Sequence, residues 1–194
     1  MKEAIIYGGA FNPPTRAHQL ILQSCVDIAK CSGAEVWLLP SGERRDKSIA
    51  AHREQRINLA RALCASVVAQ ETILKVNTVE LDSTAPTETY QTHRTLTSTY
   101  PEYELTWIFG SDSICTMKQW RGGEWLFRNM GMLIVPRPGV ELTELPVNSK
   151  ILDIQTPDIS STEVRSRIKR GETLTDLVPD VVERVLAESV AALR

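Results

Sequence analysis

Short apolar runs alternate with longer stretches in which apolar residues return every three or four positions, and this alternation continues from one end of the 194-residue chain to the other. The run EAIIYGG at 3–9 has the length and residue types of a strand, and RAHQLILQSCVDIAK at 16–30 places Ala17, Leu20, Ile21, Cys25 and Ile28 on one helical face. EVWLLPSG at 35–42 reads as a second strand. After the polar loop ERRDKSIA, HREQRINLARALCAS at 52–66 reads as a helix with Ile57, Leu59, Ala60 and Leu63 as its buried stripe. TILKVNTVEL at 72–81 is a third strand, TETYQTHRTLTSTY at 87–100, after Pro86, a helix, and YELTWIFG at 103–110 a strongly apolar fourth strand. Short helices over 111–120 and 122–129 precede the strands MGMLIVPRP at 130–138 and KILDIQT at 150–156. Two helices follow: STEVRSRIKRG, opened by a Ser160-x-x-Glu163 capping box and stopped by Gly171, and PDVVERVLAESVAALR, opened by Pro179. Strands alternating with helices of crossover length predict an α/β fold, a parallel sheet of five to six strands flanked by helices.

Composition narrows the picture. A 42% hydrophobic content suits one core at this length, and no repeat, low-complexity tract or linker divides the chain, so residues 1–194 are expected to form one domain. A formal net charge of −2 offers no general basic field to nucleic acid. No leader-like amino terminus and no apolar run of membrane-spanning length is present, which predicts a cytoplasmic protein without membrane or nucleic-acid partners. Oligomeric state is left open. Cys25, Cys31, Cys64 and Cys115 form no C-x-x-C pair and are expected to be reduced, mostly buried thiols. His18, His52 and His93 show no ligand spacing, so no metal held by the protein is expected.

One stretch stands apart. In GGAFNPPTRAH, residues 8–18, the first strand leaves through paired glycines and prolines and a histidine follows just inside the first helix. In open parallel sheets ligands bind at the carboxyl ends of strands, beside helix amino termini. Gly8 and Gly9 permit close backbone approach, the loop amides can donate to an anion, and the helix dipole favours negative charge there. Neither G-x-G-x-x-G nor the P-loop spacing is present.

The stretch resembles the signature of the nucleotidyltransferase superfamily, G-x-F-x-P followed by H/T-x-G-H, as Gly9-Ala10-Phe11-Asn12-Pro13 and Thr15-Arg16-Ala17-His18. Three further segments, in the right order, are similar to those of the nicotinate and nicotinamide mononucleotide adenylyltransferases. WIFGSDSICTMKQW resembles a G-x-D segment followed by tryptophan, LIVPRPG a strand followed by arginine, and ISSTEVRSRI an I-S-S-T-x-I-R run. LPSGERRDK and TETYQTHRTL match two other family segments more loosely.

That resemblance implies a Rossmann-like nucleotidyltransferase domain that joins ATP to nicotinate mononucleotide. The mononucleotide phosphate attacks the α-phosphorus and pyrophosphate leaves. No general base is required, because the nucleophile is already anionic; the protein positions the phosphates and neutralises developing charge, with Mg²⁺ carried by ATP. The resemblance assigns His18, Thr15 and Arg165 to catalysis. It assigns Gly8, Gly9, Ala10, Phe11, Gly110, Asp112, Ser160, Ser161 and Thr162 to ATP, and Lys47, Thr87, Thr89, Trp120 and Arg137 to the mononucleotide. Trp120 would stack on the pyridine ring, and amides of the Thr87–Thr92 helix start would receive its carboxylate. Thr15, Ala17 and Asp46 depart from the family pattern. A nicotinamide acceptor, another transferase of the superfamily and a non-catalytic nucleotide-binding regulator stand as alternatives.

Overall fold

The computed structural model describes residues 1–43 and 52–191. Among these residues six strands form one parallel sheet: β1 (Lys2–Gly9), β2 (Glu35–Pro40), β3 (Leu74–Val76), β4 (Tyr103–Gly110), β5 (Gly131–Val135) and β6 (Ser149–Ile151). Their order across the sheet is β3-β2-β1-β4-β5-β6. The chain runs outward from β1 in one direction and then returns to lay β4 on its other side. The switch point of the sheet therefore lies between β1 and β4, where the two strand ends diverge and leave a crevice.

Among the described residues seven helices accompany the strands: α1 (Arg16–Ser32), α2 (Arg53–Ala65), α3 (Thr89–Thr99), α4 (Ser111–Met117), α5 (Gly123–Asn129), α6 (Ser161–Arg170) and α7 (Asp180–Ala191). Alternation along β1 sends Ile5 and Tyr7 to one face and Ala4 and Ile6 to the other. The first face packs on Leu22, Cys25 and Val26 of α1 and Ala60 and Leu63 of α2; the second packs on Leu96 of α3, Ile114 and Met117 of α4 and Leu126 of α5. Leu59 and Ala62, on another side of α2, pack with Val164 of α6 and Val182 and Leu186 of α7. Helix α2 thus carries a stripe wide enough to serve the sheet and the terminal helices together.

Two turns shape the site. Asn77 Oδ1 accepts the Val79 N–H, and the Asp82 N–H donates to the Thr78 carbonyl, so the chain turns out of the sheet after Val76. The expected ten-residue third strand is for this reason three residues long, and Glu80 swings toward the strand ends. The expected strand at 150–156 likewise stops at Ile151. Leu20, expected on the buried face of α1, is 47% exposed, while Leu22, Val26 and Ala29 take the inner positions. Of the four free thiols only Cys25 is buried; Cys31 and Cys115 are exposed, contrary to expectation.

Candidate active site

Helix α1 begins with a reciprocal cap. Thr15 has extended backbone angles, its Oγ1 accepts the His18 N–H, and its own backbone N–H donates to His18 Nδ1 at 3.0 Å. An amide nitrogen can only donate, so Nδ1 is the unprotonated nitrogen and the proton of the neutral ring sits on Nε2. Burial, and then the nearby charge of Arg137, push the imidazole down to about 4. His18 is therefore a neutral donor at physiological pH. Its ring is steadied edge-on by Phe11, with centroids 5.4 Å apart. Thr15, which the resemblance assigns to catalysis, is fully buried, where it caps the helix and holds the histidine ring. Phe11 is enclosed too, at 1% exposure, and serves as the packing base of the loop.

Residues 8–12 contribute to the linings of two cavities. The larger, about 650 Å³, is lined by Ala10, Asn12, His18, Asp112, Arg137, the segment 156–159, Ser160, Ser161, Thr162 and Arg165. Its far wall is the amino-terminal end of α6. There the Ser160 hydroxyl accepts the Glu163 N–H and the Ser161 hydroxyl donates to the Pro13 carbonyl. Half of the predicted capping box is present; Glu163 instead pairs with Arg167, at 3.0 Å. Arg165 donates to the Asn12 carbonyl at 2.7 Å and to Thr162 Oγ1 at 3.0 Å, so α6 is tied to the loop after β1. Beside them Arg137 Nε stands 3.8 Å from Asp112 Oδ1, and the Arg137 N–H donates to Ser111 Oγ. Gly110 makes this arrangement possible, since a Cβ there would lie 2.3 Å from Asp112 Oδ1 and 3.2 Å from Arg137 Nε.

The smaller cavity, about 450 Å³, is lined by Gly8, Gly9, Leu39, Ser41, Glu80, Thr87, Glu88, Thr89, Trp107, Phe109, Ser113, Trp120 and Arg121. Its aromatic wall is ordered: Phe109 stacks parallel to Trp107 and meets Trp120 edge-on. Trp107 Nε1 donates to His93 behind it. The polar wall centres on Glu80, 9% exposed, which accepts from the Gly42 N–H and from the hydroxyls of Thr87 and Thr92. Those three donors bind the loop after β2 to the start of α3. Glu88 and Arg121 form an ion pair at 3.3 Å between the start of α3 and the turn before α5.

The structure redistributes the residues expected from sequence. Arg137, grouped with the mononucleotide set, stands in the larger cavity with the ATP set, whereas Gly8 and Gly9, grouped with ATP, line the smaller one. Thr87, Thr89 and Trp120 share the smaller cavity, and the Thr87 hydroxyl is spent on Glu80. Lys47, with Arg44, Arg45 and Asp46, lies outside the described residues. Glu80, Glu88, Trp107, Phe109, Arg121 and Asn12 were not singled out. Glu80 carried a signal, a carboxylate closing an otherwise apolar run, but nothing in a linear reading brings Trp107 or Arg121 to the same wall. Among the described residues no three His, Cys, Asp or Glu side chains are grouped to hold a metal ion.

Comparison with known proteins agrees with this geometry. Residues 6–167 match the family described as Cytidylyltransferase-like. The chain is 30% identical to a "Probable nicotinate-nucleotide adenylyltransferase" of Halalkalibacterium halodurans, over 97% of this chain and 90% of that one. It is 27% identical to the nicotinate-nucleotide adenylyltransferase of Bacillus subtilis, over 97% of each. The fold matches the Plasmodium falciparum nicotinic acid mononucleotide adenylyltransferase complexed with NaAD, with a TM-score of 0.79 at 24% identity, over 97% of this chain and 96% of that one. A parallel sheet whose first strand leads through a glycine- and proline-rich loop to a capped histidine at the start of α1, together with relatives matched along nearly the whole chain, places this protein in the Cytidylyltransferase-like family, among the nicotinate-nucleotide adenylyltransferases, enzymes of adenylyl transfer in NAD biosynthesis.

Proposed function

We propose that this chain transfers the adenylyl group of ATP to nicotinate mononucleotide, with ATP in the larger cavity and the mononucleotide in the smaller. The observation that carries the assignment is the position of residues 8–12. Gly8 and Gly9 line one cavity and Ala10 and Asn12 the other, so both cavities border the same loop, and phosphates bound beside it can be brought within attacking distance of each other. A phosphate oxygen of the mononucleotide attacks the α-phosphorus, the bond from that phosphorus to the bridging oxygen breaks, and pyrophosphate departs with the electron pair. His18 donates from Nε2 to the charge that grows on the leaving group, while Arg165 and Arg137 contribute fixed positive charge. No proton need be removed from the nucleophile, which suits a histidine that stays neutral.

Asp112, beside the adenosine end of this reading, has the chemistry to accept from ribose hydroxyls. Trp120, Trp107 and Phe109 supply flat apolar surfaces for a pyridine ring. Mg²⁺ belongs to the proposal as a companion of the ATP phosphates, supplying charge neutralisation there; Asp112 and Asp158, the carboxylates lining the larger cavity, are too few to form a cage of their own. A cytoplasmic location is part of the same reading, and no helix among the described residues is long and apolar enough to cross a membrane.

A nicotinamide acceptor has one observation in its favour: the smaller cavity is lined by two carboxylates, Glu80 and Glu88, against one described cation, Arg121. The deciding experiment incubates the protein with ATP, Mg²⁺ and each mononucleotide, and follows pyrophosphate release and product mass. Nicotinate adenine dinucleotide as the preferred product supports the proposal. No dinucleotide from either acceptor would overturn it.

A further inference from the structure

Helix α2 carries a buried cation to which the reaction above assigns no part. Arg56 is 5% exposed and lies in phase with Leu59, Ala60 and Leu63, the inward positions of the helix. Its Nη2 donates to the Ala10 carbonyl at 3.1 Å, and its enclosed Nε has no hydrogen-bond partner among the described residues. Burial disfavours the charged form and the Glu80 carboxylate favours it; a guanidinium holds its proton in either case. Burying a charge this incompletely paired works against stability, and an apolar residue would fill the position more cheaply. Its one described side-chain hydrogen bond goes to the loop that lines both cavities.

The residue after Ala10 has an unusual backbone. Phe11 lies at φ 45°, in the left-handed region, which is strained for any residue with a Cβ and persists only where the surroundings enforce it. One restraint is its ring, packed edge-on against Tyr7 and His18 at centroid distances of 5.2 and 5.4 Å. The other is Arg56, which grips the carbonyl of the peptide that enters Phe11. In a trans peptide the N–H points opposite to the C=O, so holding the Ala10 carbonyl toward α2 aims the Phe11 N–H away from it. The residues on either side, Ala10 and Asn12, line the larger cavity.

We infer that Arg56 is a positioning residue for the phosphate loop: its guanidinium clamps the Ala10 carbonyl, holds the strained turn at Phe11, and thereby keeps the loop backbone set to receive nucleotide phosphates. It acts through the peptide and touches no substrate. The inference rests on the placement of ATP in the larger cavity.

The test compares wild type, Arg56→Gln and Arg56→Lys, each first checked for a cooperative thermal transition. Calorimetry then measures binding of adenosine and of inorganic pyrophosphate, and steady-state kinetics gives kcat and KM for ATP. Arg56→Gln should bind adenosine within about twofold of wild type, bind pyrophosphate about tenfold more weakly and lose about tenfold or more in kcat. Arg56→Lys, which keeps the charge but not the planar fork, should fall between them. If Arg56→Gln does not fold, Arg56→Lys carries the same comparison. Unchanged pyrophosphate binding and kcat would overturn the inference, as would equal losses of adenosine and pyrophosphate, the mark of a generally loosened fold. A wild type that binds neither probe and makes no dinucleotide would instead sink the reading of the site itself.

Discussion

The backbone N–H of Thr15 donates to Nδ1 of His18 at 3.0 Å, so the residue that opens α1 also decides which nitrogen of the histidine carries a proton. Its side chain completes the exchange by accepting the His18 N–H. A helix cap and a tautomer are thus set by the same two residues.

His18→Ala should lower turnover about a hundredfold while changing the KM for ATP far less, because a donor aimed at the departing pyrophosphate acts mainly in the transition state. Thr15→Val retains the backbone donor and removes the hydroxyl. It should cost about 1 kcal/mol of stability as a lost cap and about tenfold in kcat through a less restrained imidazole. Near-normal turnover of His18→Ala would remove the residue from the mechanism.

The pH response follows from the low affinity of His18 for a proton. The unfolded chain takes up that proton near 6.5 and the folded chain only near 4, because burial and then Arg137 oppose the charge. The unfolded state therefore binds more protons between those values, so this contribution to stability is intact above 6.5 and drains away as the pH falls toward 4. Denaturant unfolding of wild type and His18→Gln at about pH 7 and about pH 4.5 should differ in their pH dependence by about 2 kcal/mol. Turnover should show no inflection near 6.5 from this group, and one that vanishes in His18→Gln would contradict the neutral-donor role.

Arg165 is anchored at both ends of its guanidinium, to Asn12 and Thr162, rather than waiting free for an anion. Arg165→Ala should raise the KM for ATP about tenfold and reduce kcat, since it removes a charge from the cavity and releases α6 from the loop. ATP titrations matching wild type would reduce the bridge to a structural tie.

Acceptor choice centres on Glu88 and Arg121. A ring carboxylate can replace Glu88 on the guanidinium, whereas a carboxamide offers no charge in exchange, and an exposed ion pair of this kind is weak enough to open. Nicotinate mononucleotide should be preferred. Arg121→Gln should lower kcat/KM for it about tenfold and leave the nicotinamide form within about threefold. Comparable losses for both acceptors, or a wild-type preference for the amide, would transfer attention to Glu80 and Glu88 as contacts that select the neutral group.

What was legible in the chain was whatever depends on neighbours in sequence. The parallel α/β order, the exit of β1 through Gly8 and Gly9, and the starts of α1 and α6 rest on periodicity, capping and turn chemistry acting over a few residues. Leu20 was misplaced because several registers of an apolar-rich helix put similar residues inward, and only the packing partner chooses among them. The third strand was overextended for a related reason: Asn77 and Thr78 divert the chain by bonds whose outcome is settled by the destination of Glu80.

The sequence by itself determined that a glycine- and proline-rich loop with a histidine at N3 of the following helix would form at the end of the first strand, because the glycines, the prolines and the Thr15 cap specify that geometry locally. Only the tertiary structure decided who shares a cavity with whom. Gly110 and Arg137 meet because β4 and β5 lie side by side; Ser160 to Arg165 reach the loop after β1 because α6 returns to the switch point; Arg56 reaches the Ala10 carbonyl because α2 packs over β2 and β3 beside α1. The physical reason is that each wall combines residues dozens of positions apart, whose distances depend on strand order and helix packing rather than on any local preference of the chain.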